Sequence, residues 1–285
     1  MKTKKLFSMF TTGILVTTLL VACSSKQSAD GNVQGKTTGF MQLANENKER
    51  IWYRIDDSNG DNQISKDDNI KMVLVIKNGK VDHLFLSEVT LADIRGKTDD
   101  DIIKFAKKQD KHNFNNQKAE AIQSSKDQVS QSESRVKELE ISLNEKTDKN
   151  DTNSVLWHEQ EIAYNQETLE SAQKRLSELE KISYEDIKSQ YSKYAIKAIV
   201  ETDASGNQVA TEELKLKGYK PTSSLSDVYD ISLKLQHQVS GDIYDKSYIG
   251  YSVDGEDFII TSTSSLSNNT SFGLDTLGTK NVTEE

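Results

Sequence analysis

The sequence predicts an α+β fold: an antiparallel β-sheet domain with an inserted antiparallel coiled-coil helical hairpin. Three observations predict it. Runs rich in β-branched and aromatic residues, punctuated by Asn-Gly and Asp-Gly turns, occur both before residue 90 and after residue 195. Between them, from Ile122 to Leu179, apolar side chains recur at steps of three, four and seven in a charged background. Each β segment alone is too short to bury a sheet face, so the two are assigned to one domain; two separate small domains are the alternative.

The chain begins with Lys2, Lys4 and Lys5, followed by an uncharged apolar run from Leu6 to Leu20 that ends in Leu20-Val21-Ala22-Cys23. The run is roughly 15 residues, shorter than the ~20 a helix needs to cross a bilayer, and the lysines hold the start of the chain on the cytoplasmic side. Residues 1–22 read as a signal peptide. The residues before Cys23 resemble a lipobox, and Cys23 is the one cysteine in 285 residues. Acylation of its thiol with diacylglycerol, palmitate being a typical chain, and of the new amino terminus supplies the two or more chains that stable anchoring takes. The expectation is a lipoprotein on the extracytoplasmic face of the cell membrane. The competing explanation is a secretory signal with a chance cysteine.

A lone acylated cysteine leaves no thiol for a disulfide or for catalysis. Losing the three signal lysines takes the formal charge from -9 to -12. An acidic chain gains nothing from a phosphate backbone, which excludes nucleic acid as an expected partner.

Residues 23–44 read as a flexible tether, since Ser24 to about Thr38 is polar and contains glycine. The α+β domain is assigned to 45–112 and 183–285. Ile51 to Ile55, Lys71 to Ile76 and Val81 to Leu86 read as strands, the last two joined across Asn78-Gly79. Thr98, followed by Asp99, Asp100 and Asp101, marks a helix start with a hydroxyl cap and carboxylates at the positive end of the dipole; Ile102, Phe105 and Ala106 give that helix an apolar face. Asn113 to Asn116 either breaks or bends it.

The hairpin is assigned to 113–182. Ile122, Ser125, Val129, Ser132, Val136, Leu139 and Leu143 form one seam and Val155, Ile162, Leu169 and Leu176, with Ala172 and Leu179, the other, across a polar turn from Thr147 to Asn153. Each arm of about 30 residues would be ~45 Å long. Ser125, Ser132, His158 and Asn165 stand where apolar side chains are preferred. Ser183-Tyr184-Glu185-Asp186 opens a further short helix. Strands then return at Ala195 to Thr202, Val209 to Leu216, Val228 to Val239, Tyr248 to Val253 and Phe258 to Thr263.

The best candidate site runs from Asp57 to Asp68. Oxygen-bearing side chains stand at its first, third, fifth, ninth and twelfth places, with Ile64 at the eighth, and it resembles the calcium loop of EF-hand and dockerin-type modules. The resemblance implies Asp57, Asn59, Asp61 and Asp68 as ligands, with the Gln63 carbonyl. Three departures stand out. Asn62 replaces the glycine of the sharp turn, Asp68 replaces glutamate, and strands flank the loop where those families have helices. A polar turn linking two strands is the alternative.

Other signals are weaker. Gly96-Lys97-Thr98 and Gly35-Lys36-Thr37 end like phosphate-binding loops, but Leu91 stands where the first needs glycine and Gly31 is one residue too close in the second. His83, His112, His158 and His237 lack metal-ligand spacing. No Gly-x-Ser-x-Gly elbow occurs. Tyr244, Tyr248, Tyr251 and Phe258 read as core or as an aromatic binding face.

The layout also resembles uncharacterised lipoproteins of low-GC Gram-positive bacteria. The features are the Leu20-Val21-Ala22-Cys23 lipobox, the Lys77-Asn78-Gly79-Lys80-Val81 turn, the helical segment Leu91 to Asp110 and the closing region Ile243-Tyr244-Asp245 to Thr279-Lys280. The resemblance implies an envelope location and an α+β fold, and brings no catalytic residues. The leading expectation is a non-enzymatic binding or scaffolding lipoprotein, tied to the membrane through Cys23, whose hairpin meets an envelope protein partner or acts as a spacer. A calcium- or ligand-binding module and a small envelope hydrolase are the alternatives.

Overall fold

Five apolar or amide residues, Phe40-Met41-Gln42-Leu43-Ala44, are enough to start the folded domain. The computed structural model describes residues 37–57, 59–148, 152–191, 194–219, 228–253, 257–266 and 270–285, all within one unit, Gly35–Glu285. The expected signal peptide, Cys23 and the expected tether as far as residue 36 lie outside the described residues. The last part of the expected tether, however, is not tether: Thr37–Thr38 is a short strand, β1, and Phe40–Ala44 a helix, α1, with Phe40, Met41, Leu43 and Ala44 buried. The Phe40 ring lies 4.6 Å from that of Trp52, so burial against an aromatic neighbour orders a segment too short to show a helical period.

The remaining elements are β2 (Arg50–Asp56), β3 (Asn69–Lys77), β4 (Lys80–Phe85), α2 (Asp99–Asp148), α3 (Thr152–Lys181), α4 (Tyr184–Tyr191), β5 (Lys197–Thr202), β6 (Val209–Tyr219), β7 (Val228–Ile243), β8 (Lys246–Val253), β9 (Asp257–Ser262), β10 (Ser271–Phe272) and β11 (Val282–Glu284). Nine strands form one sheet in the order β11-β5-β6-β7-β8-β9-β2-β3-β4, and β1 pairs with β10 apart from it. Every neighbour in the large sheet is antiparallel except β11 on β5. The fold is α+β with an inserted helical region, and the strands on either side of the hairpin do share a sheet, joined where β2 pairs with β9.

Local chemistry explains the turns. Asn78 and Gly79 both take positive φ, 55° and 73°, the geometry of a two-residue turn whose twist matches the strands it joins. Gly250 on β8 is required by a close approach: a Cβ there would overlap the Ile259 carbonyl oxygen of β9. The β3–β4 turn also meets the far end of the sheet, through a bridge between Lys80 and Ala195 and a 2.9 Å bond from Ile196 N to Gly79 O.

Both faces of the sheet are covered. On one, Trp52, Leu74, Leu214, Leu233, Tyr251 and Ile259 pack with α1 and Phe272. On the other, Tyr53, Val73, Leu84, Phe258 and Ile260 pack under Leu91 and Ile94 and the first turns of α2 at Ile102 and Ala106.

Of the break or bend expected near Asn113, the break does not occur, since α2 is one helix through Asp148; the boundary placed between 112 and 113 therefore falls inside it. Asn113 Nδ2 donates to the Phe85 carbonyl at 3.2 Å and Asn116 meets His112 at 3.1 Å. The Asn113 amide docks α2 on β4, and that of Asn116 bonds one turn back within α2, which offsets their modest helix propensity. α2 and α3 pack along each other, burying Ser125, Ser132, Val136 and Leu139 against His158, Ala172 and Leu179. At the base Phe114, Leu179 and Ile187 form a cluster of their own.

Candidate functional site

The strand pair β2–β3 closes the neck of the Asp57–Asp68 loop, with Asp56 opposite Asn69 and Ile55 opposite Ile70. Between those strands the loop folds on its own oxygens. Asn62 N donates to Asp57 Oδ2 at 2.7 Å, Asp61 N to Asn59 Oδ1 at 3.1 Å, Gln63 N to Asp61 Oδ1 at 2.8 Å and Ser65 N to Asp68 Oδ2 at 2.7 Å. Asn62 takes φ 57°, so asparagine does adopt the left-handed turn that glycine supplies in calcium loops. Ile64 is buried in the sheet core beside Gly241 of β7, which anchors the loop at its middle.

The five sequence-predicted positions divide into two kinds. Asp57 and Asp68 are 4% and 1% exposed, whereas Asn59, Asp61 and Gln63 face solvent. Asp57 Oδ1 is buried and has no hydrogen-bond partner. Burial, then the charges of Asp57, Asp61 and Asp56, pushes the Asp68 carboxyl up to about 6 against a bond from the Ser65 amide that lowers it. Asn59 Nδ2 donates to Asp61 Oδ2 at 3.1 Å, so these two side chains satisfy each other. Among the described residues no group of three or more His, Cys, Asp or Glu side chains is gathered as a metal site.

Cations near the loop are engaged elsewhere. Lys71 reaches Asp257 at 2.8 Å and Asp56 at 3.2 Å, Arg54 reaches Asp257 at 2.6 Å and Lys66 pairs with Asp67. Arg95 lies 4.0 Å over the Tyr244 ring. Tyr244, Asp242 and Ile243 at the β7–β8 turn face Asp61, Gln63 and Lys66 across a cavity of about 340 Å³.

Other polar constellations serve the fold. Glu212 and Asp275 are fully buried. The Asp275 carboxylate accepts from Met41 N at 2.5 Å and Gln42 N at 3.1 Å, while Asp275 N donates to Glu212 Oε2 at 2.7 Å. The pair thereby clasps α1 and the C-terminal segment to β6. Sequence reasoning missed it because its members are 63 residues apart and neither sits in a motif. His83 is buried, and burial with the nearby Lys188 charge pushes it down to about 3. His237 Nδ1 meets Ser252 Oγ at 3.0 Å, but Ser252 is buried, which removes it as an accessible nucleophile. Tyr248, Tyr251 and Phe258 are core residues, and Tyr244 alone of that aromatic set is exposed.

The hairpin carries the other feature. Val155, Ile162, Leu169 and Leu176, seven apart on α3, are each only half-buried. Among the described residues seven large hydrophobics are exposed, and four of them, Ile141, Leu156, Trp157 and Tyr164, lie on the hairpin. No described helix is long and apolar enough to cross a membrane. In comparisons with known proteins the chain matches no family model, no curated protein and no solved structure.

Proposed function

We propose that the chain is a lipid-anchored protein of the bacterial envelope that binds rather than catalyses, and that its helical hairpin receives an amphipathic helix of an envelope protein partner. The observation that carries this reading is the heptad stripe Val155, Ile162, Leu169 and Leu176, which α2 leaves only half-buried. A two-helix coil with Ser125, Ser132 and His158 in its seam covers that stripe only in part, and a third helix is the element whose geometry fits it. Trp157 and Tyr164 are exposed as well, but two residues beyond Val155 and Ile162 they point about 200° away from the stripe and belong to another face of α3. The anchor reading is supported by the charged start, the short apolar run and Cys23 as the only cysteine.

Two measurements test the proposal. Radiolabelled palmitate is expected to mark the parent and not Cys23→Ala, which leaves the membrane fraction; equal sorting of both overturns the anchor. For the partner, residues 123–175 are replaced by a short Gly/Ser turn. The cut keeps Phe114, Leu179 and Ile187 at the base, where Lys118 Nζ also holds the Ile182 carbonyl at 2.8 Å. Cross-linking on intact cells should then lose a species that the parent captures, and an unchanged pattern overturns the partner role.

A further inference from the structure

We propose that the Asp57–Asp68 loop binds a calcium ion through Asp57, Asn59, Asp61, the Gln63 carbonyl and Asp68. The inference is independent of the partner reading and stands on the burial of Asp57. Its Oδ1 is sealed from water without a hydrogen-bond partner, and a buried oxygen left unpaired costs free energy that a bound cation would offset. No ion pair to Asp57 or Asp68 exists among the described residues, the neighbouring Lys71, Lys66 and Arg54 being committed to Asp56, Asp67 and Asp257. The other oxygen of Asp57 accepts the Asn62 amide from across the loop at 2.7 Å, which fixes the carboxylate against the loop backbone beside the equally buried Asp68.

The chemistry selects the ion. Carboxylate, amide and carbonyl oxygens with no nitrogen or sulfur make a hard site. Mixed neutral and anionic oxygens on an open loop suit the larger, adaptable shell of calcium better than the near-ideal octahedron magnesium demands. Amide donation to Asp57 Oδ2, Asn59 Oδ1 and Asp61 Oδ1 orients the side chains and leaves coordination capacity on each. The three carboxylates are not gathered in this structure, so binding requires the Asn59 Nδ2 to Asp61 Oδ2 bond to give way and the exposed Asp61 side to draw in toward Asp57 and Asp68. With aspartate rather than glutamate at the twelfth place and asparagine at the third, the affinity belongs to the weak, extracellular range, a Kd on the order of 10⁻⁴ to 10⁻³ M.

The test uses the full-length protein in detergent, titrated with calcium by calorimetry and with terbium by sensitised luminescence, Tyr244 lying across the cavity from Asp61. One site per chain is expected, preferring calcium to magnesium. Asp57→Asn and Asp61→Asn should each weaken it about tenfold or more, since affinity follows ligand charge. Asp61 is exposed, so its variant decides the matter if Asp57→Asn fails to fold. Asp203→Asn, in an exposed turn where Asp203 Oδ1 accepts the Ser205 and Asn207 amides, should bind as the parent does. Absence of heat and of any shift in melting temperature at about 10 mM calcium overturns the site, as does binding that survives both loop variants.

Discussion

Glu212→Gln should flatten the alkaline limb of the stability profile. Glu212 is fully buried beside Asp275, and burial, followed by the Asp275 charge, raises its carboxyl to about 8, against about 4.3 in an unfolded chain. Between those values the native state holds a proton that the unfolded state has released, so the contribution is complete below about pH 4.3 and is lost as pH climbs through 8. One proton corresponds to about 1.4 kcal/mol per pH unit. His83, lowered to about 3, works in the opposite sense but only below its unfolded value of about 6.5. From pH 6.5 to 8 the Glu212 term therefore acts without it, and the parent should lose about 2 kcal/mol. Glutamine keeps the shape, accepts from Asp275 N in place of Glu212 Oε2 and stays neutral. Urea unfolding followed by circular dichroism at half-unit steps should give the Glu212→Gln variant a profile that is about 2 kcal/mol flatter across this window. Parallel profiles would refute the assignment of a proton to Glu212 in the folded clasp.

Two further outcomes follow from burial. His83 stays neutral in the fold while the unfolded chain protonates near pH 6.5, so stability falls as pH drops from 6.5 toward 3; His83→Leu should remove up to about 1.4 kcal/mol per pH unit from that acid slope, read by the same urea series. Phe114→Ala empties the cluster shared with Leu179 and Ile187 and should cost about 3–5 kcal/mol, with amide exchange accelerating at the hairpin base; a loss under about 1 kcal/mol would mean that the cluster does not secure the hairpin.

The long strands were legible because their residue types are confined to runs bounded by turn chemistry, and Asn78-Gly79 fixes its turn locally. So was the left-handed turn at Asn62, since few side chains tolerate it. What could not be read locally was decided by tertiary contact. The five residues of α1 show no period and become helical on Trp52 and beneath Asp275. β10 and β11 are two and three residues long, too short for any pattern. Asn113 reads as a breaker in isolation, yet its side chain finds the Phe85 carbonyl. In the candidate loop the ligand types were visible, whereas the burial of Asp57 and Asp68 depends on packing that spacing does not encode.

The continuity of α2 changes what the hairpin can do. A break at Asn113 would have made the hairpin a swinging appendage; a single helix of 50 residues, ~75 Å long at 1.5 Å per residue, makes it an extension of the sheet. Its mount is redundant. Ile102 and Ala106 sit on the sheet face. Asp110, fully buried, accepts the Phe85 amide at 3.0 Å and the Tyr184 hydroxyl at 2.7 Å and pairs with Lys188 at 2.8 Å, joining β4, α2 and α4 at one carboxylate. Lys118 Nζ then takes the Glu180 and Ile182 carbonyls at the end of α3, where a cation favours the helix terminus. Beyond this base the coil is held by a seam that mixes Ser125, Ser132 and His158 with Val136, Leu139 and Ala172, and the half-buried stripe from Val155 to Leu176 runs along it. A helix docking on Val155, Ile162 and Leu169 would therefore meet a surface whose direction is set by the sheet.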